Sequence, residues 1–369
     1  MDVTELTRKL IAFDTINPPG DEAAAMSFLK DLLEGADFEC RLVESGDRRC
    51  SLVATKGLSA DAAALAFTGH LDTVPLGDAP WAHPPHAGVV ENGRLHGRGS
   101  ADMKGGVAAF LCAVLESPTP PGGIVLLLTG GEETGSDGAK ALVEAGGLPK
   151  IGALVVAEPT DNRAVPGHKG ALWLRLKAHG VTSHGSMPQE GVNAVMGMAH
   201  ALVAIEGFVP GPAHPVMGLC TSNVGTIRGG LNTNSVPDYC EVAFDMRSVA
   251  GAEHASMRAA LIGRIGTQIE IETIIDLPAV WTDPQDPWIA SITAHAVRLA
   301  GADPAPSSMP YFTDASVFTP ALDNVPTIIL GPGEAEMAHK TDESVSILRL
   351  QQAQAIYSAA IADWTGTLS

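Results

Sequence analysis

The chain has 369 residues, 42 of them acidic against 23 lysines and arginines, for a formal net charge of -19. That length exceeds what one hydrophobic core usually organises, and the charge disfavours nucleic acid or an anionic membrane as partner, since either would require a positive surface. The five cysteines, at positions 40, 50, 112, 220 and 240, are odd in number and never closely spaced, which argues against a disulfide framework and a thiolate metal site.

The opening MDVTELTRKL reads as a polar helix rather than a signal peptide, and no apolar run approaches the ~18 residues of a membrane span, so a cytoplasmic protein is expected. A turn at Asn17-Pro18-Pro19-Gly20 leads to a second helix, expected to be capped by Asp21, with Met26, Leu29 and Leu33 on one face. Four short apolar runs follow, each ending abruptly in polar residues. They are Leu65 to Thr68 before Gly69-His70, Ile124 to Thr129 before Glu132-Glu133, Leu154 to Ala157 before Glu158, and Thr327 to Leu330 before Gly331. Helical patterns between several of them predict an α/β fold, a mostly parallel sheet with flanking helices in which ligands gather beyond the carboxyl ends of the strands.

Between about Ala171 and Leu277 the texture changes. Leu172, Leu174 and Leu176 alternate with Trp173, Arg175 and Lys177, a helical stretch runs from Asn193 to Ile205, and another strand surrounds Val242 and Phe244. This predicts an inserted α+β domain over 171–277 on two short hinges, which leaves the first domain discontinuous over 1–170 and 278–369. The chain closes with a helix whose apolar face includes Leu350, Ala353, Tyr357, Ala360, Ile361 and Trp364.

Hydrolytic sites with two divalent ions need several carboxylate and imidazole ligands, with the ions ~3.5 to 4 Å apart so that one carboxylate can bridge them. Suitable residues occur in Gly69-His70-Leu71-Asp72, Gly97-Arg98-Gly99-Ser100-Ala101-Asp102-Met103-Lys104-Gly105-Gly106 and Thr129-Gly130-Gly131-Glu132-Glu133-Thr134-Gly135. Ala157-Glu158-Pro159-Thr160, Gly331-Pro332-Gly333 and Ala338-His339 follow. In this order and spacing the segments resemble the M20 peptidase family, which includes deacetylases, desuccinylases, aminoacylases and carboxypeptidases, and the resemblance spans nearly the whole chain.

That resemblance implies a zinc-peptidase-like catalytic domain and an inserted domain for lid closure and dimerisation. It implies two divalent metal ions, zinc first, with cobalt or manganese as alternatives. Asp102 would bridge them, His70 and Glu158 completing one site and Glu133 and His339 the other. Asp72 would fix the tautomer of the His70 ring without touching metal, and Glu132 would be the general base. Ser183-His184-Gly185 resembles the segment whose histidine reaches the active site of the other subunit of a homodimer, there to stabilise an oxyanion. Asn234 and Arg247 resemble substrate contacts, the Arg247 guanidinium suiting a carboxylate, although a salt bridge to Asp245 is the structural alternative. Thr313-Asp314-Ala315 and Gly331-Pro332-Gly333 resemble two further loops that line the family's substrate cavity, which implies substrate contacts at Thr313 and Gly333.

Two departures stand out: Gly131 replaces an aspartate common before the two glutamates, and Tyr311-Phe312 replaces glycines common before Thr313-Asp314. The other histidines, His83, His86 and His96 among them, match no metal position and read as structural or surface residues.

The expected activity is hydrolysis, by metal-activated water, of the amide bond in a small N-acyl amino acid, of the deacetylase or desuccinylase type. A carboxypeptidase or dipeptidase acting on short peptides is the alternative within the same chemistry. A non-catalytic binding protein on this fold is disfavoured by the intact Glu132 and the five intact ligands. A nucleotide-binding protein is disfavoured because neither a G-x-G-x-x-G nor a Walker A pattern follows a strand.

Overall fold

The computed structural model describes residues 2–366. Ile124–Thr129, Ala64–His70, Ile151–Val156 and Thr327–Ile329 lie side by side in that order, all parallel. Every residue in them is buried, which is why the sequence shows unbroken apolar runs and not alternation. An antiparallel hairpin, Glu39–Gly46 and Arg49–Lys56, completes a six-stranded sheet against Ile124–Thr129.

Helices Val3–Ile11, Ala23–Glu34, Gly105–Glu116, Pro287–Ala300 and Ile347–Asp363 bury their apolar faces in the core of this sheet. The first begins at Asp2, whose carboxylate accepts the Glu5 N–H at 3.1 Å. Ile347–Asp363 inserts Leu350, Ala353, Ile356, Tyr357, Ala360 and Ile361, and the Tyr357 hydroxyl donates to the Leu330 carbonyl where the last strand ends.

Asp21 does not cap the second helix. Glu22 precedes Ala23 with helical backbone angles and makes no capping bond. Asp21 instead accepts from Arg48 Nε at 3.1 Å, while the buried Glu22 faces Arg49 at 3.4 Å. Two arginines of the neighbouring hairpin thus take both carboxylates that could have capped the helix.

The chain divides into two units. One contains the chain up to Gly167, Trp281–Ser307 and the chain from Thr313 onward; the other contains His168–Val280 and Ser308–Phe312. The second unit is a four-stranded antiparallel sheet in the order Thr221–Gly229, Tyr239–Ser248, Gly170–His179, Ile269–Leu277. Leu172, Leu174 and Leu176 point from it into a core shared with Met198, Met257 and Leu261 of helices Ala194–Ala204 and His254–Ile265.

The short Ser308–Phe312 stretch joins this second unit although it lies far along the chain. The Lys169 N–H donates to the Met309 carbonyl at 2.9 Å, and the Phe312 ring meets Trp173 edge to face at 6.1 Å. Phe312, which stands where glycine is common, therefore serves as a packing contact.

Candidate metal centre

Three neighbouring parallel strands bring their carboxyl ends together, and the residues at and just beyond those ends form the site. His70 is the last residue of Ala64–His70, Glu132 and Glu133 follow Thr129 after two glycines, and Glu158 lies two residues past Val156. Asp102 enters from the loop before helix Gly105–Glu116, with non-helical backbone angles of -124° and 95°. His339 arrives from the segment after Thr327–Ile329, in the left-handed region at φ 62°.

These side chains converge as two clusters that share Asp102. His70 Nε2 lies 3.3 Å from Asp102 Oδ1 and 3.7 Å from Glu158 Oε1. His339 Nε2 lies 3.4 Å from Asp102 Oδ2 and 3.0 Å from Glu133 Oε2. The two oxygens of one carboxylate thus face two different imidazoles, as a bridging ligand must. The separations also suit metal: the edge of a tetrahedron with bonds of about 2.0 Å is about 3.3 Å. His70 is sealed from solvent whereas the His339 side chain is 56% exposed, so the site opens on the His339 side.

The charge balance points the same way. Burial, with the charge of Asp102 next, pushes the carboxyls of Glu158 and Glu133 upward. Burial also carries Glu132 well above its ordinary range, opposed by His70 and reinforced by Glu158 and Glu133. Hydrogen bonds to the Asp102 and Glu133 carboxylates raise the His339 imidazole to about 10. Burial opposes charge on His70, yet the hydrogen bond to Asp102 and the charges of Glu158 and Asp72 carry its pKa well above the usual value. Such crowding of buried negative charge is what a pair of divalent cations would neutralise. Among the described residues, His70, Asp102 and Glu158, and Asp102, Glu133 and His339, each form a group able to hold one ion.

The surroundings fix these groups. His70 Nδ1 donates to the backbone carbonyl of Asp72 at 2.9 Å, leaving Nε2 as the free lone pair. The Asp72 carboxylate was expected to set this tautomer, but it lies farther from the ring, at 3.6 Å. Its oxygens accept the N–H groups of Glu132 and Glu133, each at 3.2 Å, and Asn17 Nδ2 at 2.9 Å. One buried carboxylate therefore holds the turn from which the two glutamates diverge.

Gly331 and Gly333 are needed for close approach. A Cβ on Gly331 would lie 2.2 Å from the Ala157 carbonyl oxygen, and one on Gly333 would lie 2.3 Å from that of Ala101. The Gly-Pro-Gly loop thus packs directly on the chain bearing Glu158 and Asp102, and Gly333 is buried there. Thr313 is fully buried, and its Oγ1 accepts the Ala315 N–H at 3.1 Å at the start of helix Ala315–Ala321. Its neighbour Asp314 accepts from Thr129 Oγ1 at 2.5 Å, and burial raises its carboxyl to about 6.

The remaining expected residues lie in the second unit. His184 is exposed; its Nδ1 accepts the Ser186 N–H at 3.2 Å and faces Ser186 Oγ at 2.7 Å, which places the ring proton on Nε2. Asn234 lies beside it, its carbonyl accepting the Gly185 N–H at 2.7 Å. Arg247 pairs with Asp245, Nε and Nη2 donating to Oδ2 at 3.2 and 3.1 Å, and its guanidinium stacks 5.5 Å from the Trp173 ring centre. The structural alternative for Arg247 is thus present, and part of its fork is already engaged.

Sequence reasoning missed Glu343. Its buried carboxylate accepts the N–H groups of Gly99, Ala101 and Asp102 at 2.8, 2.8 and 3.0 Å and pairs with the buried Arg98 at 2.7 Å. It closes the segment Ala338-His339-Lys340-Thr341-Asp342-Glu343, which begins with a candidate ligand and runs into the short strand Ser344–Ser346. Asn17, in the predicted turn, and Thr134, in the segment that carries the two glutamates, are hydrogen-bonded to each other at 3.0 Å, and neither has a sequence signal of its own for this contact.

Residues 66–363 match the profile of peptidase family M20/M25/M40. A protein of Staphylococcus epidermidis named "Probable succinyl-diaminopimelate desuccinylase" is 31% identical over 381 residues, covering 93% of each chain. The succinyl-diaminopimelate desuccinylase of Ruegeria pomeroyi is 30% identical over 387 residues, covering 99% of each. The fold is shared with an M20 family metallo-carboxypeptidase from Sulfolobus solfataricus, with TM-score 0.79 and 18% identity over 98% of this chain and 99% of that one. An aminopeptidase from Bacillus cereus gives a TM-score of 0.76 at 21% identity, covering 97% of each chain.

Proposed function

We propose, on the premise that the chain belongs to peptidase family M20/M25/M40 and is a metal-dependent amidohydrolase, that it removes an acyl group such as succinyl from a small N-acyl amino acid. The observation that carries this reading is the pair of imidazole–carboxylate clusters joined through Asp102, with the buried Glu132 beside them. Two divalent cations, one held by His70, Asp102 and Glu158 and the other by Asp102, Glu133 and His339, would supply Lewis-acid polarisation of the scissile carbonyl and a water of lowered pKa. Zinc is the ion this donor set favours, and cobalt or manganese suits it also.

Glu132 accepts the proton of the attacking water on its carboxylate and returns it to the leaving amine. Its backbone is held by Asp72, and its burial makes it a stronger base than a solvated carboxylate. Arg247, with Asn234, binds the substrate carboxylate, the Asp245 pairing keeping the guanidinium fixed in advance. His184 donates from Nε2 to the developing oxyanion, and in a homodimer it serves the site of the partner copy.

A homodimer is supported by the exposed edge strand Thr221–Gly229, which carries Val224 and Ile227, and by Leu231 just beyond it, 89% exposed. An apolar open edge favours pairing with another copy. The second unit then provides the dimer surface and the lid. No helix among the described residues is long and apolar enough to cross a membrane, and a cytoplasmic location fits the reduced state expected of the five free cysteines.

The test is amine release from a panel of N-succinyl, N-acetyl and N-formyl amino acids and dipeptides, using zinc-reconstituted protein. Release from the succinyl compounds first, and not from dipeptides, is the expected result. Preference for dipeptides would replace this reading with the dipeptidase alternative. Light scattering of the same sample gives the oligomeric state, and a monomer with full activity would remove His184 from the partner's site.

A further inference from the structure

Away from the paired clusters, His83, Glu91 and His96 form a third group of metal-ligating side chains. One ligand atom from each lies within 4.8 Å of the others. His83 Nε2 is 3.3 Å from Glu91 Oε2, the edge expected of a tetrahedral site with bonds of about 2.0 Å. The His83 and His96 rings have centroids 4.7 Å apart at a tilt of 53°. His96 Nδ1 is shut off from solvent and has no hydrogen-bond partner among the described residues.

The backbone explains how the group forms. Val89–Glu91 and Arg94–His96 make an antiparallel hairpin in which Glu91 faces Arg94 and Val89 faces His96. Positions two apart on a strand share a face, so Glu91 and His96 project from the same side as diagonal neighbours. His83 comes to that side from the preceding loop. Ser344–Ser346 pairs with Arg94–His96 on the other edge, Ser344 opposite His96, and holds the strand in place.

We propose that His83, Glu91 and His96 bind one further divalent transition-metal ion of the zinc class, separate from the paired centre, with water as the fourth ligand. Two imidazoles and one carboxylate suit zinc, nickel or copper better than magnesium or calcium, which prefer all-oxygen sets.

The position gives this ion a consequence. His96 is followed by Gly97, whose N–H donates to the Glu343 carbonyl at 2.9 Å, and then by Arg98, which pairs with the Glu343 carboxylate. That carboxylate also holds the Asp102 N–H. An ion at the hairpin therefore anchors the start of the loop that carries Asp102, and it stabilises the folded chain through binding.

The experiment is equilibrium dialysis of chelator-stripped, full-length protein against zinc, with metal analysis, for wild type, His83→Asn and Glu91→Gln. His83 is partly exposed and Glu91 exposed, and circular dichroism checks that each variant is folded. The expected result is one zinc ion fewer per chain in His83→Asn, with the ions of the paired centre retained. Loss of an outer partner of a metal ligand typically costs about 10–100-fold in affinity, so Glu91→Gln, which alters a ligand itself, should weaken this one site by at least about tenfold. Equal zinc stoichiometry and affinity in wild type and both variants would overturn the proposal, whatever the paired centre binds.

Discussion

One oxygen of the Glu343 carboxylate accepts the backbone N–H of Asp102 at 3.0 Å, 241 residues earlier in the chain, together with that of Ala101 at 2.8 Å. The other oxygen accepts from Gly99 and pairs with Arg98, which is itself only 1% exposed. The candidate bridging aspartate is thus positioned by a buried carboxylate that has four donors of its own.

Glu343→Gln keeps the shape but removes the charge and replaces one oxygen by a donor. The Arg98 guanidinium is then left buried without its counter-charge, a change that typically costs about 3–5 kcal/mol. Urea unfolding should show a loss of that order, and metal content after dialysis should fall with it. Unchanged stability in the variant would mean that Glu343 has no such positioning role.

Glu132→Gln should bind metal as wild type does, because Glu132 belongs to neither ligand cluster, yet turn over about 10²–10⁴-fold more slowly. The loss should fall on kcat. Steady-state amine release paired with metal analysis separates this from a ligand role, in which metal content would drop as well.

Metal loading near neutral pH should release protons. In the metal-free protein His339 is held protonated, its pKa raised to about 10 by Asp102 and Glu133, and it must give up that proton before its ring can coordinate. Titration calorimetry in two buffers of different ionisation enthalpy should give different apparent heats. Identical heats would show that no proton leaves.

His168 makes stability depend on pH in mild acid. Burial pushes its pKa down from about 6.5 to about 4, and its Nδ1 donates to the Lys169 carbonyl at 2.9 Å. The unfolded chain takes up this proton as pH falls below about 6.5 whereas the folded chain does not, so stability is lost between about pH 6.5 and 4 and is unaffected above that window. The loss amounts to roughly 3 kcal/mol. Denaturant unfolding across this range should show a shallower pH dependence for His168→Gln than for wild type, and parallel curves would contradict the assignment.

The sequence by itself determined the local and periodic features. Unbroken apolar runs ending in Thr68, Thr129, Ala157 and Leu330 identified buried parallel strands, because such strands are covered on both faces and need apolar residues at nearly every position. The alternation of Leu172, Leu174 and Leu176 marked a sheet with one covered face. The order and spacing of the short polar segments carried the resemblance to the M20 peptidase family, and that resemblance implied His70, Asp102, Glu132, Glu133, Glu158 and His339 together.

Only the tertiary structure decided which groups hold those side chains in place. Asp72 binds the N–H groups of Glu132 and Glu133, Glu343 binds the Asp102 loop, and Asp21 turns to Arg48 instead of capping its helix. The same is true of Thr313, taken up by its own helix, and of the His83–Glu91–His96 group, whose members come from a loop and the two strands of a hairpin. In each case a polar side chain could have found several partners along the chain. The choice fell to packing, because a buried polar side chain takes the donors and acceptors that the fold brings within about 3 Å, from two residues away for Thr313 and Ala315 to 241 for Asp102 and Glu343.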